Sequence, residues 1–165
     1  MSLAAISLVR EGPKRWIRPQ ISRALAGALI ALAMGAIGVS AAVAADGYKV
    51  IVHSSNPASS LPREQVARFF LKQETAWPSG QAVKPVDLER GSPTRAAFST
   101  KVVQRAVPQV VAYLQQRLFS GRATPPPEVR TPAEVVSFVE QNEGAIGYVS
   151  EGTEIGRNKV VRIVP

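Results

Sequence analysis

The chain has 165 residues, 20 Lys and Arg against 12 Asp and Glu for a formal net charge of +8, one His and no Cys. That length leaves room for one domain or two small ones. The missing Cys excludes a disulfide framework, a thiolate nucleophile and Cys-ligated metal, and the single His excludes a multi-His metal site. Apolar residues make up 45% of the chain, enough to build a core.

The charge is unevenly placed. Residues 1–23 hold Arg10, Lys14, Arg15, Arg18 and Arg23 against Glu11 alone, and Ala24–Ala45 is uncharged and ends Ala42-Val43-Ala44-Ala45. A basic stretch, an apolar run and an A-x-A ending make a signal peptide over 1–45, with cleavage after Ala44 or Ala45 and export to the periplasm. The uncharged run is also just long enough to span a bilayer, so retention as an inner-membrane anchor is the alternative. The 46–165 domain then carries a net charge near +4, with its basic residues scattered and no Lys/Arg run. A nucleic-acid surface needs clustered charge, so nucleic acid is not an expected partner.

From residue 46 the elements follow in order. Tyr48–His53 is rich in β-branched residues and reads as a strand. Ser54-Ser55-Asn56-Pro57-Ala58-Ser59-Ser60 is a polar loop with a turn signal, and Ser60 is placed to cap a helix from Leu61 to Lys72. Trp77-Pro78-Ser79-Gly80 breaks that helix. Gln81–Leu88 reads as a strand whose Pro85 demands an edge or an irregular ladder. Ser92 and Pro93 open a helix to Arg105, and Pro108 marks another that runs to Phe119 and stops at Gly121. Arg122–Arg130 contains Pro125-Pro126-Pro127 and is irregular. Thr131, Pro132 and Glu134 form a capping-box start for a helix over 132–141. Ala145–Val149 and Lys159–Val164 are the last two strands. The order β-α-β-α-α-α-β-β predicts an α/β domain with a mostly parallel sheet flanked by helices.

The local arrangement with the clearest chemistry is Arg90-Gly91-Ser92-Pro93-Thr94-Arg95. A strand delivers it and a helix begins inside it, so helix-end amides, the Ser92 and Thr94 hydroxyls and the charges of Arg90 or Arg95 suit a phosphate or another small oxyanion. The plainer reading is a cap with solvated arginines. Ser54 and Ser55 follow the first strand. In an open parallel sheet, ligands lie beyond the carboxyl ends of the strands, which predicts that this loop and 89–95 share one edge. His53 makes no triad with its neighbours, because adjacent side chains on a strand face opposite ways. Asp87 and Glu89 beside Arg90 read as a surface ion pair. No catalytic constellation, metal site or cofactor signature is present, so the chain is not expected to be an enzyme.

Several segments resemble one family. Tyr48–Ser60, Leu61-Pro62-Arg63-Glu64-Gln65-Val66-Ala67-Arg68-Phe69-Phe70, Trp77-Pro78-Ser79-Gly80, Arg90-x-Ser92-x-Thr94-x-x-x-Phe98, Phe119-Ser120-Gly121 and Gly144-Ala145-Ile146-Gly147-Tyr148-Val149 are similar to PstS-like phosphate-binding proteins of ABC transporters, the type 2 periplasmic binding proteins. The likeness covers residues 48–150. It implies a single lobe of a two-lobed α/β fold, with Ser92 and Thr94 binding phosphate and Arg90 or Arg95 as charge partner. It also implies an ABC permease as partner, or a second chain completing the site. The chain departs from the pattern where Pro93 stands for Gly, which removes an amide donor, and where Phe70-Leu71-Lys72 stands for Phe-x-Gly. The competing expectation is a non-catalytic cell-envelope scaffold that has lost its ligand.

Overall fold

The computed structural model describes residues 47–165. The expected signal peptide or anchor over 1–45 lies outside the described residues. Among those described, no helix is long and apolar enough to cross a membrane.

Among the described residues, seven strands and four α-helices occur in the order β1 (Tyr48–Val52), β2 (Ser60–Pro62), α1 (Arg63–Phe70), β3 (Lys84–Pro85), β4 (Asp87–Leu88), α2 (Pro93–Phe98), α3 (Val107–Phe119), β5 (Glu128–Val129), α4 (Pro132–Gln141), β6 (Ala145–Ser150) and β7 (Lys159–Val164). A π-helical turn, Ser99–Val103, continues α2. Five strands form one sheet in the order β2-β7-β1-β6-β3, and β4 and β5 form a parallel pair. The expectation of a mostly parallel sheet is corrected. β1 lies in the centre and runs antiparallel to both β6 and β7, whereas β2 is parallel to β7 and β3 is parallel to β6. The sheet is mixed because the first strand enters against the direction of all the others.

Local chemistry accounts for most boundaries. Thr131 Oγ1 accepts from the Glu134 amide at 3.2 Å and Glu134 Oε2 accepts from the Thr131 amide at 3.2 Å, the reciprocal capping box that starts α4. Pro85 falls on β3, an edge of the sheet, where its missing N–H costs little. The predicted Gln81–Leu88 strand is split there into β3 and β4. Ser60 does not cap α1. It begins β2, pairs with Arg162 of β7, and Pro62 precedes the helix without a side-chain cap. The Pro-rich connection supplies β5, a short strand absent from the sequence reading.

Both helix stops with a Gly pattern are informative. After α3, Gly121 has φ +68°, and the Arg122 amide donates to Arg117 O at 2.9 Å, closing a Schellman turn. After α1 the same closure occurs, Gln73 amide to Arg68 O at 2.9 Å, but the left-handed residue is Lys72 at φ +56°. The position where the family pattern has Gly therefore keeps the conformation that favours Gly and puts a Cβ into it.

The core is one cluster beneath the sheet and its helices. Val50, Ile51 and Val52 of β1, Ile146 and Tyr148 of β6, Phe69 and Phe70 of α1, Phe98 of α2 and Val135 and Val139 of α4 are all buried. Tyr148 and Phe98 stack with centroids 3.9 Å apart and planes at 8°, and Phe70 meets Phe98 at 4.8 Å. Trp77 is buried and its indole N–H donates to Gly144 O at 2.9 Å. Gly147 lets α4 approach β6, since a Cβ there would stand 2.6 Å from Val135 Cγ1 and 2.9 Å from Val86 Cγ1.

Replacing Lys72 by Gly is expected to stabilise the fold by about 1 kcal/mol, because it removes the steric cost of a left-handed Lys. Urea unfolding measures the gain. A loss of stability would mean that the Lys72 stem contributes more packing than its backbone costs.

Candidate functional site

The 89–95 segment is built from below by a buried ionic network. Arg95 is only 2% exposed. Its guanidinium meets Asp87 Oδ2 at 2.9 Å and Glu128 Oε1 at 3.0 Å and donates to the carbonyl of Leu88. Asp87 accepts in turn from the Tyr148 hydroxyl. Four elements thus converge: β4 through Asp87, α2 through Arg95, β5 through Glu128 and β6 through Tyr148. Burial pushes the Asp87 carboxyl upward in pKa, against the pull of Arg95 and the Tyr148 hydrogen bond. Burial and the neighbouring carboxylate push the Tyr148 phenol well above its ordinary range, so it remains a donor.

This network fixes where α2 begins. Ser92 is its N-cap, and Ser92 Oγ accepts from the Arg95 amide at 3.4 Å. The Ala96 amide donates to Ser92 O at 3.0 Å, and the Ser92 amide donates to Glu89 O at 3.0 Å, closing the turn. Pro93 has no N–H, so the Thr94 amide is the donor at the open end of the helix. The Thr94 side chain is half-buried beside it, and Gly91 faces open space. Arg90 lies at the rim, exposed, with its Nε 3.5 Å from Glu128 Oε1.

The structure therefore brings Arg90, Ser92 and Thr94 together on one accessible turn and turns Arg95 inward beneath them. Arg95 is neutralised by two carboxylates, so it holds the turn in place and offers no free charge to a ligand. Asp87 is likewise no surface partner of Arg90, as the sequence suggested, but the buried partner of Arg95. A signal for this was present. Arg95 stands three residues before Phe98 and seven before Val102, on the core-facing stripe of its helix, and Asp87 interrupts an apolar run from Val86 to Leu88.

Ser54 and Ser55 lie elsewhere. β1 runs opposite to β6, and β3 runs parallel to it. The loop after β1 therefore leaves at one end of the sheet and the loop after β4 at the other. The expectation that the two loops share an edge fails with the mostly parallel sheet on which it rested. At that far end the Ser55 hydroxyl lies 2.6 Å from His53 Nδ1, and its amide donates to the same nitrogen at 3.2 Å. Ser54 lines a polar hollow of 250 Å3 with His53, Glu140, Arg157 and Asn158. Among the described residues, no group of His, Asp and Glu could hold a metal ion.

No protein-family model matches the sequence, and no curated protein matches it. Solved structures do match in fold. One, from Clostridium perfringens, is described as a phosphate ABC transporter substrate-binding protein with bound phosphate. It has a TM-score of 0.57 and 24% identity over 71% of this chain and 44% of its own. An ABC-type phosphate transport receptor from Vibrio cholerae has a TM-score of 0.56 and 23% identity over 71% and 46%. PstS from Borrelia burgdorferi has a TM-score of 0.55 and 10% identity over 71% and 47%.

Replacing Arg95 by Met is expected to cost about 3–5 kcal/mol, because Asp87 would be left buried beside an apolar group. Replacing the exposed Arg90 by Met should cost under ~1 kcal/mol. Urea unfolding of the two variants checks the contrast, and equal losses would refute the assignment of roles. On these shared elements, the chain has the fold of the phosphate-receptor substrate-binding proteins, over a stretch that spans less than half of their length.

Proposed function

We propose that the chain is an exported, non-catalytic solute-binding lobe that takes phosphate or a related small oxyanion at the 89–95 turn and serves ABC-type phosphate uptake. The observation that carries this reading is the turn itself. A helix start is clamped by a buried ion pair, and the Thr94 amide, the Thr94 and Ser92 hydroxyls and the exposed Arg90 lie within five residues of one another at it. Amide and hydroxyl donors at the positive end of a helix suit a tetrahedral anion, and a rim guanidinium adds charge where solvent can reach it. The fold supports the same reading, since a solved neighbour carries bound phosphate.

The residues have separate roles in this proposal. Thr94 and Ser92 are the direct donors. Ser92 Oγ accepts from the Arg95 amide, which leaves its hydroxyl proton free to donate. Arg90 steers and balances charge, and Arg95 positions the turn. Ser54 and Ser55 have no part in this site because they belong to the other end of the sheet.

Isothermal titration of phosphate into the purified protein, with sulfate as the comparison anion, tests the proposal. Saturable heat with phosphate is expected. Thr94→Val is expected to weaken it about tenfold or more, the loss of one hydrogen bond to a charged group. An absence of heat at millimolar phosphate, from protein whose circular dichroism shows it folded, would overturn the reading and leave an envelope scaffold in its place.

A further inference from the structure

The polar hollow at the far end of the sheet from the 89–95 turn has a chemistry of its own. It has a volume of 250 Å3 and is lined by His53, Ser54, Glu140, Arg157 and Asn158. Strand pairing brings its two sides together. Val52 of β1 stands opposite Lys159 of β7, so the next pair along that register sets His53 beside Asn158. Glu140 comes from the last turn of α4. Its Oε1 accepts from the Arg157 amide at 2.8 Å. Gly156, at φ +57°, makes room for that contact, since a Cβ there would collide with the same oxygen. The loop before β7 is thus strapped to α4, and the hollow lies between this strap and the loop after β1.

Asn158 is the fixed group of the hollow. It is 7% exposed, and its Nδ2 donates to Val136 O at 3.0 Å. Its Oδ1 is buried and has no donor among the described residues. Buried side-chain oxygens are nearly always paired, so this one calls for a donor from outside the chain.

The walls carry charge of both signs. Glu140 meets the Arg157 amide, but no ion pair joins the two side chains, and among the described residues neither has another partner of opposite charge. The last turn of α4 has no basic residue, so the negative end of that helix adds to Glu140. On the donor side stand the Arg157 guanidinium and the Ser54 hydroxyl, which make no hydrogen bond among the described residues. His53 joins them. Its Nδ1 accepts from the Ser55 amide at 3.2 Å, which leaves the proton of the neutral ring on Nε2.

The unspent acceptors, a carboxamide and a carboxylate, require N–H protons. The unspent donors, led by a guanidinium, require the oxygens of an acid. We infer that the hollow binds a small zwitterion of the amino-acid class, its ammonium group on Glu140 and Asn158 Oδ1 and its carboxylate on Arg157, Ser54 and His53. No group of His, Asp and Glu among the described residues could hold a metal ion, so the cation that answers Glu140 is an ammonium. A neutral polyol would satisfy Asn158 and leave both charges unanswered. The hollow is below the roughly 300–1,000 Å3 of pockets for drug-sized ligands, which limits the occupant to a short side chain. Binding here is independent of the 89–95 turn, which lies at the other end of the sheet.

Titration of L-alanine into the isotopically labelled protein, followed by amide NMR, tests the assignment. Saturable shifts are expected at Ser54, Arg157 and the Asn158 side-chain amide, with a dissociation constant on the order of 0.1–1 mM. Ethylamine and propionate, each with one of the two charges of alanine, should bind at least tenfold more weakly. Arg157→Gln removes an exposed guanidinium. Glu140→Gln removes the charge and keeps an oxygen for the Arg157 amide. Each should weaken alanine binding at least tenfold, and Thr94→Val should leave it unchanged. A well-dispersed spectrum that does not move at tens of millimolar alanine would mean that the hollow holds water only, and it overturns the proposal. Alanine binding that survives both substitutions overturns it too, as does ethylamine or propionate binding as tightly as alanine.

Discussion

The contact between Arg95 and Asp87 is the constraint on which the rest of the arrangement depends. A guanidinium and a carboxylate that are both nearly inaccessible to water tolerate burial only when each finds several partners. Here four elements take part, and two of them, β5 and β6, are distant in sequence from the turn. Glu128 comes from the Pro-rich connection, Tyr148 from the sixth strand, and the Leu88 carbonyl from the strand just before the turn. Satisfying one buried charge therefore sets the entry of α2, the pairing of β4 with β5 and the seat of the tyrosine ring on Phe98. The accessible turn above is the outer surface of that solution. Its donors are positioned by groups that no ligand touches.

Glu128 differs from its partners because it is partly exposed, and it reaches both arginines, Arg95 at 3.0 Å and Arg90 at 3.5 Å. The inner contact is protected and the outer one is open to solvent and salt. The network thus grades from a rigid interior to an adjustable rim within a few ångströms. In a binding surface this division is useful. The turn is held by the buried contact, and Arg90 at the rim is held only by an exposed one.

Much of the fold was legible in the residues. Thr131, Pro132 and Glu134 name the start of α4, and β-branched runs name β1, β6 and β7. These signals are local, and local chemistry decides such boundaries. What was not legible depends on partners far along the chain. β2 exists because β7 offers it an edge, and residues 60–62 alone read better as a helix start. β5 exists because β4 lies beside it. The direction of β1 cannot be read from Tyr48–Val52 at all, and that one unknown carried the loop of Ser54 and Ser55 to the wrong end of the sheet. In the site, Ser92 behaves as a cap as its residue type predicts. Arg95 was misjudged as a charge partner because its role is written in the helical stripe it shares with Phe98 and Val102, not in its neighbours.

The placement of β1 also bears on how the chain folds. Among the described residues, the first strand occupies the middle of the sheet, and its ladder partners are the last two strands. Nothing made in between can complete the sheet. The loop-closure entropy of nearly the whole domain must be met before the central hydrogen bonds form, and such long-range pairing is slow. β1 therefore stays without ladder partners until β6 and then β7 have been made. Synthesis and folding are separated in time by topology alone, and the helices that form early must wait for the sheet that unites them.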